Sequence, residues 1–393
     1  MKSENCYVAG VDIVKFSKPG ANEPYRVMAA KAVRGALKDA GLDIGHIQQA
    51  YGSYIYGDST CAQRALYDVG MTGIPVINVN NNCSSGSTAL FLARQAVQTG
   101  AVDCALAFGF EEMQPGALSS HWDDRESPFD LLMEHLDKMG NYPQGPLALR
   151  TFGSAGLYYM EKYGAKPELF GKVSVKTRRH AVNNPYSLFD TPLTLEQVMG
   201  DKIVFGGYLT RLMCCPPTCG ASAAIICSAD FAKKHGIGQL VEIIGQAITT
   251  DSETTWENPM NLIGADMTRR AAQQVYEQAG LGPRDADVVE LHDCFTPNEV
   301  VSYEALGLCG EGEATKFVEE GDNTYGGKFV VNPSGGLMSK GHPIGATGLA
   351  QCTELVWHLR GQAGKRQVEG ARIALQHNIG LGGAAVVTMY RKA

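Results

Sequence analysis

Two helices of this chain end alike, and the likeness extends to their surroundings. Tyr25 to Ala40 carries Val27, Ala30, Val33 and Leu37 on one face and stops at Ala40-Gly41-Leu42, while Thr268 to Ala279 stops at Ala279-Gly280-Leu281. A glycine just past the last turn is a common helix stop. An apolar strand precedes each helix (7–14 and 241–248) and another follows each (50–55 and 288–291). The order then continues to match. Strand 76–79, helix 89–97 and strand 102–110 in the first part answer strand 329–331, helix 344–359 (entered through Pro343) and strand 372–375 in the second. Apolar runs 220–228 and 384–389 close the two sets. The offset is roughly 240 residues, far beyond the period of a solenoid, so the repeating unit is half a molecule. Apolar strands alternating with helices predict parallel sheets covered on both faces. The fold class is therefore α/β, built from two similar βαβαβ halves.

One stretch breaks the rhythm. From about 121 to 208 the chain holds Pro128, Pro143, Pro146, Pro167, Pro185 and Pro192, many aromatics, and no alternation of strand and helix. It reads as a helical and irregular insertion of the kind that covers a binding site. The expected organisation is an N-terminal half over 1–120 completed by 209–238, the insertion over 121–208, and a C-terminal half over 239–393.

Bulk properties exclude several functions. A net charge of −7 leaves no electrostatic footprint for nucleic acid. There is no apolar run of spanning length and no secretory leader pattern, so no stable membrane insertion is expected. Eleven cysteines at irregular spacings fit a reducing compartment better than a disulfide framework. Arg391-Lys392-Ala393 is not the peroxisomal Ser-Lys-Leu ending. Cytoplasm is the expectation, with peroxisomal import through a partner as the alternative. Cys214, Cys215 and Cys219 lack zinc spacing and a nearby histidine, and read as structural. No dinucleotide fingerprint, P-loop or metal set is present, so neither cofactor nor metal is expected.

The chemistry centres on Val76-Ile-Asn-Val-Asn-Asn-Asn-Cys83-Ser-Ser-Gly86. Cys83 sits where a strand turns into a helix. Unpaired N–H groups and the positive end of the macrodipole would favour a thiolate there, while the alternative is a buried structural cysteine. Three pieces of the second half also fall at strand ends or helix starts: His292-Asp293-Cys294-Phe295, Gly341-His342-Pro343, and Gln376-His377-Asn378-Ile379-Gly380-Leu381-Gly382-Gly383. Open α/β sheets bind ligands outside the carboxyl ends of their strands, so all of these could converge. Singly, His292 could be a hydrogen-bonded core histidine, Cys294 a small buried hydrophobe, His342 a loop residue and the Gly380 segment a turn.

Jointly, Asn81-Asn82-Cys83-Ser84-Ser85-Gly86, His292-Asp293-Cys294-Phe295, Gly341-His342-Pro343 and His377-Asn378-Ile379-Gly380 resemble the motifs of the thiolase superfamily. Within it they resemble most the thiolase part of sterol carrier protein X. The likeness also takes in Gly57-Asp58-Ser59-Thr60-Cys61, Asn183-Asn184-Pro185-Tyr186, Asn323-Thr324-Tyr325-Gly326-Gly327 and Asn332-Pro333-Ser334-Gly335-Gly336, and so covers essentially the whole chain. It implies a five-layered α/β/α/β/α core, a homodimer, and CoA as a substrate rather than a cofactor. The implied reaction is thiolysis of a 3-ketoacyl-CoA, or its reverse, in fatty acid or sterol side-chain β-oxidation.

The resemblance also implies roles. Cys83 is the nucleophile and His342 its base. His292 and His342 would hold the enolate oxygen, and the N–H groups of Cys83 and Gly380 the tetrahedral oxyanion. Commoner thiolases carry an Asn-Glu-Ala-Phe motif and a late Cys-x-Gly cysteine as acid/base. Here His292 stands at that Asn and Asn378 at that cysteine, so the acid/base passes to Cys294. The chain stops at Ala393 without a sterol carrier domain, so lipid transfer is not expected. Competing readings are a steroid side-chain aldolase, whose known examples lack the reactive cysteines, a decarboxylating ketoacyl synthase, and a catalytically silent acyl-CoA- or lipid-binding protein.

Overall fold

A computed structural model describes residues 5–114, 122 and 124–393. The expected boundary at 120–121 lies outside the described residues. The first half begins with β1 (Cys6–Ile13), α1 (Tyr25–Ala40), β2 (Gln49–Ser53), α2 (Cys61–Tyr67), β3 (Val76–Val79), α3 (Ser85–Gln98) and β4 (Cys104–Glu111). Helices α4 (Asp130–Met139), α5 (Leu147–Tyr163), α6 (Glu168–Ala181) and α7 (Leu195–Met199) follow, with a small hairpin of β5 (Ile203–Phe205) and β6 (Leu209–Thr210). Then come β7 (Gly220–Ser228) and α8 (Ala229–Lys234). The second half comprises β8 (Val241–Thr249), α9 (Pro259–Leu262), α10 (Ala265–Ala279), β9 (Val288–Glu290), α11 (Thr296–Ala305) and α12 (Ala314–Glu319). It ends with β10 (Val330–Val331), α13 (Gly336–Ser339), α14 (Thr347–Arg360), β11 (Ile373–Gly380) and β12 (Ala384–Lys392).

The strand order is β10-β9-β11-β12-β8-β1-β7-β4-β2-β3. Folded about the β8–β1 junction, the two sides match strand for strand: β3 with β10, β2 with β9, β4 with β11, β7 with β12, β1 with β8. The junction itself is thin, two residue pairs, Tyr7–Glu242 and Val8–Val241. The paired helix stops hold as well. Gly41 and Gly280 both take the left-handed conformation, at φ 68 and φ 65, which a residue with a side chain adopts at a cost. Helices α3 and α14 pack between the two sheets, where Leu90, Leu349, Leu355 and Leu359 are fully buried, each contributing about 1.5–3 kcal/mol. Helices α1 and α2 cover the outer face of one sheet, and α10 and α11 that of the other. This gives five layers.

The parallel sheets expected from sequence need correcting. Only β3-β2-β4 and β10-β9-β11 run parallel, and the remaining pairs are antiparallel. Strands β11 and β12 are joined by residues 381–383, too few for a crossover, so they must form a hairpin. The first half keeps that pairing, Glu111 facing Gly220 as Gly380 faces Ala384, but residues 112–219 stand in the place of the turn. The inserted helices reach over the second half. Phe152 of α5 stacks on Phe295 at 5.0 Å, and Lys176 of α6 pairs with Glu299 of α11, both buried.

Candidate active site

The turn between β3 and α3 is built from its own asparagines and serines. Ser84 and Ser85 return their hydroxyls to the carbonyls of Asn81 (2.8 Å) and Asn82 (2.6 Å), and the Asn81 N–H donates to Ser85 Oγ at 2.8 Å. Asn82 sits at φ 50, a conformation Asn tolerates better than most. Its amide donates to the Leu381 carbonyl at 3.0 Å, tying the turn to the β11–β12 hairpin of the other half. Gly380 is required there, because a Cβ would lie 2.0 Å from the Asn81 oxygen. Cys83 is left half-buried at the end of this turn.

Cys83 Sγ and one ring nitrogen each of His292 and His342 lie within 4.8 Å of one another. The rings meet edge-on, 5.1 Å apart at 82°. Hydrogen bonds assign opposite tautomers to them. The Thr347 hydroxyl donates to the Pro343 carbonyl (3.1 Å), so its contact with His342 Nδ1 (2.7 Å) is accepted from an Nδ1–H. That leaves His342 Nε2, buried and without a partner among the described residues, as a free lone pair. For His292 the order is reversed. The Ser87 hydroxyl donates to Asn378 Oδ1 at 2.8 Å, which turns the Asn378 amide N–H onto His292 Nδ1, also at 2.8 Å. His292 therefore presents an N–H at Nε2. One imidazole accepts and the other donates, as an acid–base step beside a thiol requires. A cation bound by the same three atoms would need the opposite tautomer at His292.

Cys294, the expected acid/base, is buried but does not join that set of three. Burial pushes its thiol well up, and the charges of Cys215 and Cys83 add to the effect, which places it in their electrostatic neighbourhood. Asp293 turns the other way and accepts the N–H groups of Leu337 (2.7 Å) and Met338, capping α13. The Asn184 and Asn332 motifs are internal braces. Asn184 bridges the Ser334 carbonyl and Glu354, and Asn332 accepts the Leu291 N–H.

The Cys214–Cys219 segment, read from sequence as merely structural, runs through the site. Cys214 bridges to Phe295, Pro217 to His342, the Cys215 N–H donates to the Cys294 carbonyl at 2.9 Å, and the Thr218 hydroxyl accepts the His342 N–H at 3.0 Å. Its double proline signals an extended segment; nothing in its composition signals what it lies beside.

Electrostatics overturn one expectation. Burial pushes the Cys83 thiol up to about 12, with the Glu111 carboxylate adding to the rise against the N–H groups of Cys83 and Leu381. Desolvation thus outweighs those two backbone N–H groups. Burial also pushes His342 down to about 3 and His292 well below the usual imidazole range. The resting site is a neutral thiol beside neutral imidazoles.

A cleft of about 810 Å³ opens beside Asn80–Asn82 and Gly380–Ala384 and is walled by Ser127–Asp130, Met133 and Leu147 of the insertion and by Ile55, Tyr56 and Trp122. Among the described residues, Asp130 is the one charged side chain in its lining. A groove of about 720 Å³ lined by Arg284, Cys309 and Phe317 contains none of the candidate residues.

Two family models match the chain: "Thiolase, N-terminal domain" over residues 11–206 and "Thiolase C-terminal domain-like" over 245–390. The chain is 52% identical over 391 residues to sterol carrier protein 2 of Rattus norvegicus, covering 98% of this chain and 71% of that protein. It is 35% identical to an acetyl-CoA acetyltransferase of Methanothermobacter thermautotrophicus, covering 98% and 99%. Among solved structures, an Ltp2-ChsH2(DUF35) aldolase superposes with a TM-score of 0.84 at 23% identity, over 100% of this chain and 99% of that one. Human mitochondrial 3-ketoacyl-CoA thiolase in complex with CoA gives 0.76 at 19%, over 99% and 98%.

Proposed function

This chain is an acyltransferase of the thiolase family, and from that premise we propose that it cleaves 3-ketoacyl-CoA with CoA, giving acetyl- or propionyl-CoA and a shortened acyl-CoA. The observation that carries the reading is the pair of opposed tautomers around Cys83. His342 Nε2 takes the thiol proton as Sγ attacks the 3-keto carbon, so the charge passes to the keto oxygen and never rests on sulfur in the dry site. The N–H groups of Cys83 and Gly380 receive that oxyanion. The bond between carbons 2 and 3 then breaks, and its electron pair becomes the enolate of the departing thioester. His292 Nε2–H and the protonated His342 hold the enolate oxygen, and Cys294 delivers the proton to carbon 2. Free CoA, losing its thiol proton to Cys294, attacks the acyl group on Cys83; the bond from the acyl carbon to Cys83 Sγ breaks, and the sulfur takes back the proton held on His342, which restores the enzyme.

The cleft beside Cys83 suits an apolar acyl chain, since Ile55, Phe129, Met133, Leu147 and Leu381 are among its lining side chains. Strand β3, at the sheet edge with β2 as its one strand partner among the described residues and with Met71 exposed just before it, supports a homodimer. Fatty acid or sterol side-chain β-oxidation is the proposed setting, in cytoplasm or peroxisome; no described helix is long and apolar enough to cross a membrane. The test is CoA-dependent loss of the 3-ketoacyl-CoA enolate absorbance in wild type, Cys83→Ala and Cys294→Ala. Thiolysis lost in both variants supports the roles given. A wild type inactive on short, long and branched substrates alike sinks the reading, and cleavage that needs no CoA would point to an aldolase.

A further inference from the structure

Glu290, Lys340, Glu354 and Arg366 are buried together and take no part in these steps. Lys340 Nζ lies 3.8 Å from Glu290 Oε2 and 4.0 Å from Glu354 Oε1, and Arg366 Nε donates to Glu354 Oε2 at 2.7 Å. Two carboxylates thus meet two cations. Lys340 Nζ has no hydrogen-bond partner among the described residues, so its ammonium is shared by both carboxylates rather than committed to one. Burying such charges strips them of hydration, and apolar residues of the same shape would often serve stability as well. The return lies in geometry.

Glu290 and Lys340 hold matching places in the chain. Glu290 ends β9, two residues before His292, and Lys340 follows α13, two residues before His342. Glu290 also accepts the Ser334 N–H (3.0 Å) and hydroxyl (2.8 Å), so it grips segment 334–340 at both ends. The short links onward to the two rings are held too. Asn332 Oδ1 accepts the Leu291 N–H at 2.8 Å. Gly341 sits at φ 119 against Thr218, whose methyl would lie 2.7 Å from an added Cβ. The Lys340 carbonyl accepts the Leu188 N–H of the insertion at 3.1 Å, and the Asn184 amide donates to Glu354 Oε1 at 3.0 Å.

We propose that Glu290 and Lys340 are positioning residues whose buried ion pair, steadied by Glu354, sets the approach of His292 to His342, edge-on at 5.1 Å. The inference rests on the roles given to those histidines in thiolysis. Removing Lys340 alone leaves Glu290 and Glu354 as like charges without their shared cation, which drives the end of β9 away from the exit of α13. Removing Glu290 and Lys340 together leaves Glu354 balanced by Arg366, so the fold is kept while the tie is lost.

The test is the double variant Glu290→Gln, Lys340→Met, read by steady-state thiolysis, a denaturant midpoint and a crystal structure. Its midpoint should stay near wild type. Its kcat should fall about 10- to 100-fold, as displacement of catalytic groups by about 1 Å causes, with KM within about twofold. The crystal structure should show the two rings moved out of their edge-on contact. Lys340→Met alone should lose stability as well as kcat. A double variant with wild-type kcat, or with its rings still edge-on at 5.1 Å, overturns the proposal, and the cluster is then packing only. Should that variant not fold, Glu290→Gln alone, which leaves Lys340 beside Glu354, is read by the same kcat and ring geometry. A wild type without thiolysis removes the proposed function, and the ring geometry of the variant then decides this inference by itself.

Discussion

In the first half, the turn entering α3 carries a thiol, Cys83; in the second, the turn entering α14 carries an imidazole, His342. The two helices occupy corresponding places in the repeat, and their N-termini meet at Gly86 and Gly348, where a Cβ on either would touch the other helix. The internal pseudo-twofold therefore brings two equivalent turns face to face, and in the proposed mechanism divergence of their side chains gives one the role of nucleophile and the other that of base. The second contrast is in the connections. Residues 381–383 close a hairpin in one half, and residues 112–219 open the same position in the other into a cover for the cleft. Symmetry supplies the convergence, and its breaking supplies the chemistry.

Removing either member of the facing pair should give the largest effects. Cys83→Ala is expected to lower thiolysis by at least about 10⁴, since the covalent route is gone. His342→Ala should lower kcat by about 10²–10⁴, the usual worth of a positioned base. His342→Ala with kcat within tenfold of wild type would mean that the facing turns do not work as a pair.

The asymmetry of tautomers comes next. His292→Ala should cost about 10²–10³ in kcat, as loss of one oxyanion donor does. Asn378→Leu removes the amide that holds His292 as an Nε2–H donor, and should cost about tenfold with KM little changed. An Asn378→Leu enzyme with unaltered kcat would refute the assignment.

What the sequence shows of this design, and what it hides, follows one physical divide. Periodicity and stop signals reveal strands, helices and the repeat, because each depends on residues close in the chain. Strand direction does not, so the antiparallel pairs of β7 and β12 were hidden in apolar runs that suit either sense. Cys83, His292 and His342 were legible as motifs. The groups that tune them were not: Ser87 and Asn378 are distant in sequence (2.8 Å apart in space), and Thr347 is one of many helix-start threonines. The Cys215 segment belongs with them, because its partners come from β9 and α14 flanks far along the chain.

The smallest expected effect tests the contact between the halves itself. At Gly86 an added methyl would meet the Gly345 oxygen and Gly348 nitrogen at 3.0 Å; at Gly348 it would meet Ser87 Oγ at 2.2 Å and the Ser87 nitrogen at 2.3 Å. Both glycines lie in helices, where alanine gains about 0.8–1 kcal/mol of propensity. For Gly86→Ala that gain offsets much of a mild crowding, so its denaturant midpoint should stay near wild type. For Gly348→Ala overpacking should exceed it, at a cost of about 1–3 kcal/mol. The same methyl would press on Asn378 Oδ1 at 2.7 Å, the amide that orients His292. Gly348→Ala should then lose kcat as well as stability, and Gly86→Ala should lose neither. If both variants lose stability alike with kcat intact, the helix contact is only packing and the tautomer relay through Asn378 does not depend on it.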